Sequence, residues 1–204
     1  MPLRTDHIRI TRRVTVSEER VITVTPVVDS PYFEVEITPP SLRQAVRSTS
    51  PQDTARYNLR YWKSPVAFYE EPLNAGDRFT SRGAEWEVLS DAENVLTGTQ
   101  AGVQFCQVMP ITLLYPHVGD VQEIGGTLVE PDIRLALWSP SETHRESGGN
   151  YRDFSAQAPI EHRAAVSTNN QLVIGTNSFK ILESNINYKQ MHMELSIRKQ
   201  GLQP

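Results

Sequence analysis

Five histidines, one cysteine and a scatter of carboxylates are the residues of this 204-residue chain with the most obvious capacity for chemistry. A zinc site on a helix needs two imidazoles one turn apart, as in HxxxH or HExxH, because that spacing places both on one face. His7, His117, His144, His162 and His192 show no such spacing. Cys106 has no second cysteine to join, which excludes an internal disulfide, makes a cysteine-based zinc site implausible and suits a reducing compartment. It sits beside Phe105 in an apolar run, where cysteine reads as a small buried hydrophobe rather than a nucleophile. Glu18-Glu19 and Glu70-Glu71 are sequence neighbours, and neighbours in an extended strand point to opposite faces. They read as solvated surface rather than as an acid and base pair. The GxSxG, GxxxxGK[ST] and GxGxxG patterns are absent. The expectation is no catalytic residue, no metal and no cofactor.

Two long polar stretches carry the remaining candidates. Residues 41–57 hold Arg43, Arg47 and Arg56, and residues 141–159 hold His144, Arg145, Tyr151 and Arg152 around Gly148-Gly149. Both exceed the usual connection length, and long loops in compact domains are functional or disordered. Such loops could dock on neighbouring subunits or line a channel, ordering on assembly; mobile surface loops are the plainer alternative. Lys and Arg number 20 against 24 Asp and Glu, a net charge of −4, which argues against a protein whose main work is gripping nucleic acid. No apolar run is long enough to span a bilayer, and residues 1–13 lack the apolar stretch of a secretory signal.

The elements that would position these residues are strands. Ile8 and Ile10, Val14 and Val16, Ile22 and Val24, and Phe33, Val35 and Ile37 alternate with polar neighbours. Trp86 and Val88, Val103 and Phe105, and Met191, Met193, Leu195 and Ile197 do the same. Beta-branched and aromatic residues favour a pleated, half-buried surface, and 14 prolines and 11 glycines punctuate the runs. Residues 7–16 and 21–26 read as a hairpin, whose exposed edges should pair with the adjoining barrel or with another subunit. One short helix is a candidate at 41–50. The fold class is mainly β.

A repeat organises the rest. Phe33-Glu34-Val35-Glu36-Ile37-Thr38-Pro39-Pro40-Ser41 lies over Ile133-Arg134-Leu135-Ala136-Leu137-Trp138-Ser139-Pro140-Ser141 at an offset of 100. The stretch from Asp77 to Leu89 lies over that from Asn170 to Leu182 at an offset of 93. In each, Asp77 or Asn170 opens a turn, Gly83 or Gly175 supplies the positive φ of a tight hairpin, and Trp86 or Phe179 fills a half-buried position. The offsets differ by seven, which assigns seven extra residues to the first unit's loop after its Pro-Ser pair. Two tandem related small β-barrel units are expected, at 28–115 and 129–200, the second with a strand at 161–166 after its long loop. An N-terminal hairpin or arm at 1–27 precedes them, 116–128 is a linker or a hairpin, and 201–204 is a tail.

The run Gly76-Asp77-Arg78-Phe79-Thr80-Ser81-Arg82-Gly83-Ala84-Glu85-Trp86-Glu87-Val88-Leu89, preceded by a strand ending in Pro-Ser and a long polar loop, resembles the head-closure, or head-to-tail stopper and connector, proteins of long-tailed bacteriophages. The resemblance implies a small β-barrel with a long loop, assembled as a ring of identical copies below the portal and adaptor and above the tail. It implies a hexamer, with a dodecamer the alternative, and location in the virion with no membrane. Arg43, Arg47, Arg56, Arg145, Arg152 and Tyr151 would then face the lumen or a subunit interface, in transient contact with packaged double-stranded DNA. The chain departs from the family in having twice the usual length and in placing Asn170 and Gly175-Thr176 where Asp and Gly are expected. A tail-tube, tail-terminator or capsid-decoration protein is the nearest alternative. A carbohydrate-binding β module or β-barrel hydrolase, with Trp62, Trp86 and Trp138 as a platform, is the alternative of another class.

Overall fold

The computed structural model describes residues 5–18, 21–28, 33–39, 56–62, 73–94, 103–138, 144–146, 149–151 and 153–200. The chain is mainly β and falls into two compact units, Met1–Leu114 and Tyr115–Pro204. Among the described residues no helix is long and apolar enough to cross a membrane. The helix candidate at 41–50 lies outside the described residues.

The first unit contains β1 (Thr5–Ile8), β2 (Ile10–Glu18), β3 (Val21–Val28), β4 (Phe33–Thr38), β5 (Tyr57–Trp62), β6 (Arg78–Ser81), β7 (Ala84–Val88), the short β8 (Glu93–Asn94) and β9 (Val103–Pro110), followed by a helical turn at Ile111–Leu114. Neighbours pair antiparallel in the order β1-β4-β5-β9-β7-β6-β2-β3, with β8 on β9. Only Arg9 separates β1 from β2. One extended segment therefore pairs with β4 on one side, through Ile8 opposite Phe33, and with β6 on the other, through Ile10 opposite Phe79. The sheet curls until its two ends are the same stretch of chain. Period-two alternation drives this: Ile8 and Ile10 point inward together and are buried with Val35, Ile37, Leu59, Phe79, Trp86, Val88 and Val108. Arg82 pins the seam, donating to the Asp6 carboxylate from Nη2 at 2.6 Å and to the Ile37 carbonyl at 3.1 Å.

The second unit contains β10 (His117–Glu123), β11 (Leu128–Trp138), β12 (His144–Glu146), β13 (Gly149–Tyr151), β14 (Asp153–Pro159), β15 (Asn170–Ile174), β16 (Asn177–Asn187) and β17 (His192–Lys199). Six of these close a barrel in the order β10-β11-β14-β17-β16-β15, while β12 and β13 form a separate two-stranded sheet. Val121, Ile133, Leu135, Leu172, Phe179, Ile181, Met193, Leu195 and Ile197 fill the interior.

The two barrels share one topology down to the register. Ile8 opposite Phe33 becomes Gly119 opposite Ile133, and Ile10 opposite Phe79 becomes Val121 opposite Leu172. Ile37 opposite Leu59 becomes Leu137 opposite Ala156, and Leu59 opposite Cys106 becomes Ala156 opposite Leu195. Phe79 opposite Trp86 becomes Leu172 opposite Phe179, and Val88 opposite Val108 becomes Ile181 opposite Ile197. A single slip anywhere would have turned one apolar set outward.

The structure refines or revises several details read from the sequence. Of the two readings of the stretch before 129, linker or hairpin, the hairpin is the one that forms: residues 117–123 pair with 128–138 and open the second barrel. The expected N-terminal hairpin forms as β2 with β3 and is joined to the adjoining barrel: residues 5–11 complete that barrel, and the rest of β2, with β3, extends from it. The seven extra residues are not in one loop: these registers place three between the second and third barrel strands and four between the third and fourth. Residues 161–166 are not a strand but a 3-10 turn and bend, and the third strand is instead Asp153–Pro159.

Gly119 stands where the first barrel has Ile8, and a Cβ there would lie 2.7 Å from the Val173 carbonyl oxygen. That atom is backbone and cannot swing aside. Gly119→Ala is expected to destabilise the second barrel by about 1–3 kcal/mol, read as a lower urea midpoint. Ile8→Val in the first barrel is expected to cost about 1 kcal/mol.

Candidate functional site

The β6 and β7 hairpin carries the motif residues, and its geometry explains each type. The Asp77 carboxylate accepts from the Asn74 backbone N–H at 2.9 Å, while Asp77 N–H donates to the Asn74 carbonyl at 3.1 Å. This closes the turn that aims β6. Asn170 repeats the turn through its N–H to the Ser167 carbonyl at 3.0 Å, and its Nδ2 donates to the Ala165 carbonyl at 2.6 Å.

Arg12 and Asp77 form a two-pronged ion pair, with Nε to Oδ1 at 3.0 Å and Nη2 to Oδ2 at 2.9 Å. The Asp77 side chain is only 3% exposed. Extending the registers by one position places Glu123 where the first barrel has Arg12, directly opposite Asn170. Asn170 is thus no failed aspartate. An aspartate there would face the Glu123 carboxylate where the first barrel offers the Arg12 guanidinium, and the neutral amide avoids that repulsion.

The two-residue turns also differ in a physical way. Arg82 and Gly83 both have positive φ, 53° and 73°, the pattern of a type I′ turn. In the second barrel Gly175, at 59°, takes the Arg82 position, and Thr176 takes that of Gly83. Positive φ at the first turn position alone is the pattern of type II′. Trp86 packs edge-on against Tyr57 and stacks parallel to Phe79, and its Nε1 donates to the Ser81 carbonyl at 3.0 Å. Phe179 meets Phe154 edge-on in its place. Trp86 is core and offers no exposed face to a sugar; Trp138, in the other unit, is partly exposed.

The loop candidates divide differently. Arg43, Arg47 and Arg152 lie outside the described residues. Arg56 is exposed at the entry to β5, with Nη1 3.4 Å from Gln107 Oε1. Arg145 and Tyr151 belong to the β12 and β13 hairpin, opposite Asn150 and His144. Both long connections join the second barrel strand to the third, β4 to β5 and β11 to β14.

The structure also brings together residues that the sequence left apart. His162 Nδ1 lies 2.7 Å from Glu130 Oε1, and Arg198 grips Asp153 through Nε at 2.7 Å and Nη2 at 3.0 Å. Among the described residues no group of three His, Cys, Asp or Glu is placed to hold a metal ion. Cys106 is fully buried, and burial pushes its thiol up to about 12, so thiolate is scarce at neutral pH. Burial likewise raises the Tyr61 hydroxyl to about 12. That hydroxyl accepts from the Leu73 N–H at 3.2 Å and donates to Gln104 Oε1 at 3.0 Å. No protein-family model matches the chain, and neither curated proteins nor solved structures yield a match.

Two predictions follow from these contacts. Arg12→Glu is expected to cost about 3 kcal/mol, because it leaves buried Asp77 facing a like charge. Adding Asp77→Asn, which recreates the Glu123 and Asn170 arrangement, is expected to recover at least half of that in a double-mutant cycle. The second concerns alkaline pH. Cys106 and Tyr61 keep their protons in the folded chain, whereas the unfolded chain releases them near their ordinary values of 9 and 10. Their contribution to stability is therefore complete below pH 9 and is lost as the pH rises toward 12. Urea unfolding across that range is expected to show the decline, and Cys106→Ala to flatten its lower part.

Proposed function

We propose that the chain is a structural protein of a tailed-phage neck, forming a ring around the DNA exit channel and joining the portal or adaptor to the tail. One observation carries the reading: a single chain repeats one closed barrel with matching registers, and each copy sends its long polar connection from the same place. The resemblance of the Gly76 to Leu89 run to head-closure proteins supports it. The work is geometric. Closed barrels have no barrel-strand edge to offer, so they serve as rigid blocks while loops adapt to neighbours. A closed ring needs heterologous contacts, one patch of a copy meeting a different patch of the next. A net charge of −4 suits a conduit through which DNA passes with only transient arginine contacts.

Imaging of the intact virion with the chain labelled tests the reading. The expected result is density between portal and tail, in a ring of six copies or a layer of twelve similar barrels. Density confined to the tail tube or the capsid surface would overturn it. Purified chain is expected to bind duplex DNA weakly, and tight binding with a steep salt dependence would contradict the conduit role.

A further inference from the structure

The described part of β2 and β3 outgrows the barrel that roots it. Their pairing runs from Thr11 opposite Val28 to Glu18 opposite Val21, whereas β2 meets β6 only through Ile10 and Thr11. Past that root, residues 13–18 of β2 and all of β3 have no further strand beside them among the described residues. The counterpart hairpin in the second barrel behaves differently: β10 is covered by β15 through Asp120, Val121, Gln122 and Glu123, up to the turn. The first unit's ribbon is thus an addition to the shared design. Its registers place eleven extra residues between the first and second barrel strands.

A two-stranded ribbon is marginal in water without a third strand or a packed face. Proteins guard such edges with charges, bulges or prolines. The β3 sequence, Val21-Ile22-Thr23-Val24-Thr25-Pro26-Val27-Val28, contains no charged residue and only Pro26 as a guard. A long, uncharged, β-branched edge is a template for another strand.

We infer that β3 of one copy pairs with the outer edge of β2 of the next copy, so that successive ribbons build one continuous antiparallel sheet around the ring. This rests on the self-assembly in the proposed function. Three features favour a second copy as the occupant. The two edges, which no described strand covers, belong to one ribbon and run alongside the same paired residues, so they match in length. Around a rotation axis every β2 points one way and every β3 the other, so β3 beside the next β2 is antiparallel, as it is within each copy. Only a closed ring of such contacts removes every edge, whereas a two-fold pairing of β3 with β3 would leave both β2 edges open.

The test compares the full chain with a variant whose residues 14–25 are replaced by Asn-Gly, which joins Arg13 to Pro26 in a tight turn and keeps the Arg12 and Asp77 pair. Sedimentation and native mass spectrometry are expected to show an oligomer for the full chain and loss of that oligomer for the variant. Residue-resolved hydrogen exchange of the unaltered chain supplies a second readout. On assembly, alternate amides of β3, those pointing away from β2, are expected to slow by about tenfold or more. A trimmed variant that assembles like the full chain would overturn the ribbon pairing and leave the ring standing. A full chain that stays monomeric overturns the pairing too, whether β3 exchanges fast or slowly; the virion image then decides separately whether a ring exists.

Discussion

In each unit one short extended segment must hydrogen-bond on both sides, and the rest of the barrel depends on it. Residues 5–11 bind β4 and β6, and residues 117–123 bind β11 and β15. An antiparallel sheet of six strands with one apolar face can leave two raw edges or curl until they meet. Closure satisfies both edges and wraps the apolar face around itself. In the first barrel only Arg9 interrupts the closing segment, and period-two alternation keeps Ile8 and Ile10 both inside. In the second the segment is one strand whose pairing with β11 shifts around Val121, and Gly119 lets it pass close to the Val173 carbonyl.

The duplicated frame shows which positions packing constrains and which it leaves free. The core pairs keep their registers although the β10 and β11 pairing shifts near Val121 and the β16 and β17 pairing past Ile181, yet the contents of equivalent sites change in compensated sets. Tyr61 and Gln104 fill one row of the first barrel with a hydrogen-bonded pair, while Ala158 and Met193 fill that row in the second with apolar volume. Either choice satisfies a buried site, whereas half of each would strand a polar group. Arg12 with Asp77 against Glu123 with Asn170 follows the same logic in charge. The hairpin glycine moves by one position, and the turn type moves with it.

This frame fits the structural role proposed for the chain. The barrels bury their reactive side chains: Cys106 is held as a thiol and Tyr61 as a phenol by the burial that packs them. Length differences gather outside the barrel strands, in the ribbon, in the long connections and between the third and fourth strands, where loop length costs little stability. Contacts with other copies or other proteins are best placed there, because changes at those sites leave the closure intact.

Much of this was legible in the residues. Period-two alternation determined the strands, and the aromatic-x-aliphatic runs after Asp77 and Asn170 determined the paired hairpins. Two similar offsets, 100 and 93, exposed the duplication, because local periodicity and turn chemistry are written within a few neighbouring residues. Long-range partners are not written that way. Nothing near Arg12 announces Asp77, 65 residues on, and the ribbon hides the first strand of the repeat by displacing it eleven residues. No strand forms at 161–166 for a related reason: Ala165 and Val166 are buried by barrel packing without being extended. Sequence by itself determined that this chain is built of two kindred β units. Tertiary structure alone decided how each closes and which charges meet, since closure is a condition on strands distant along the chain and no local pattern encodes it.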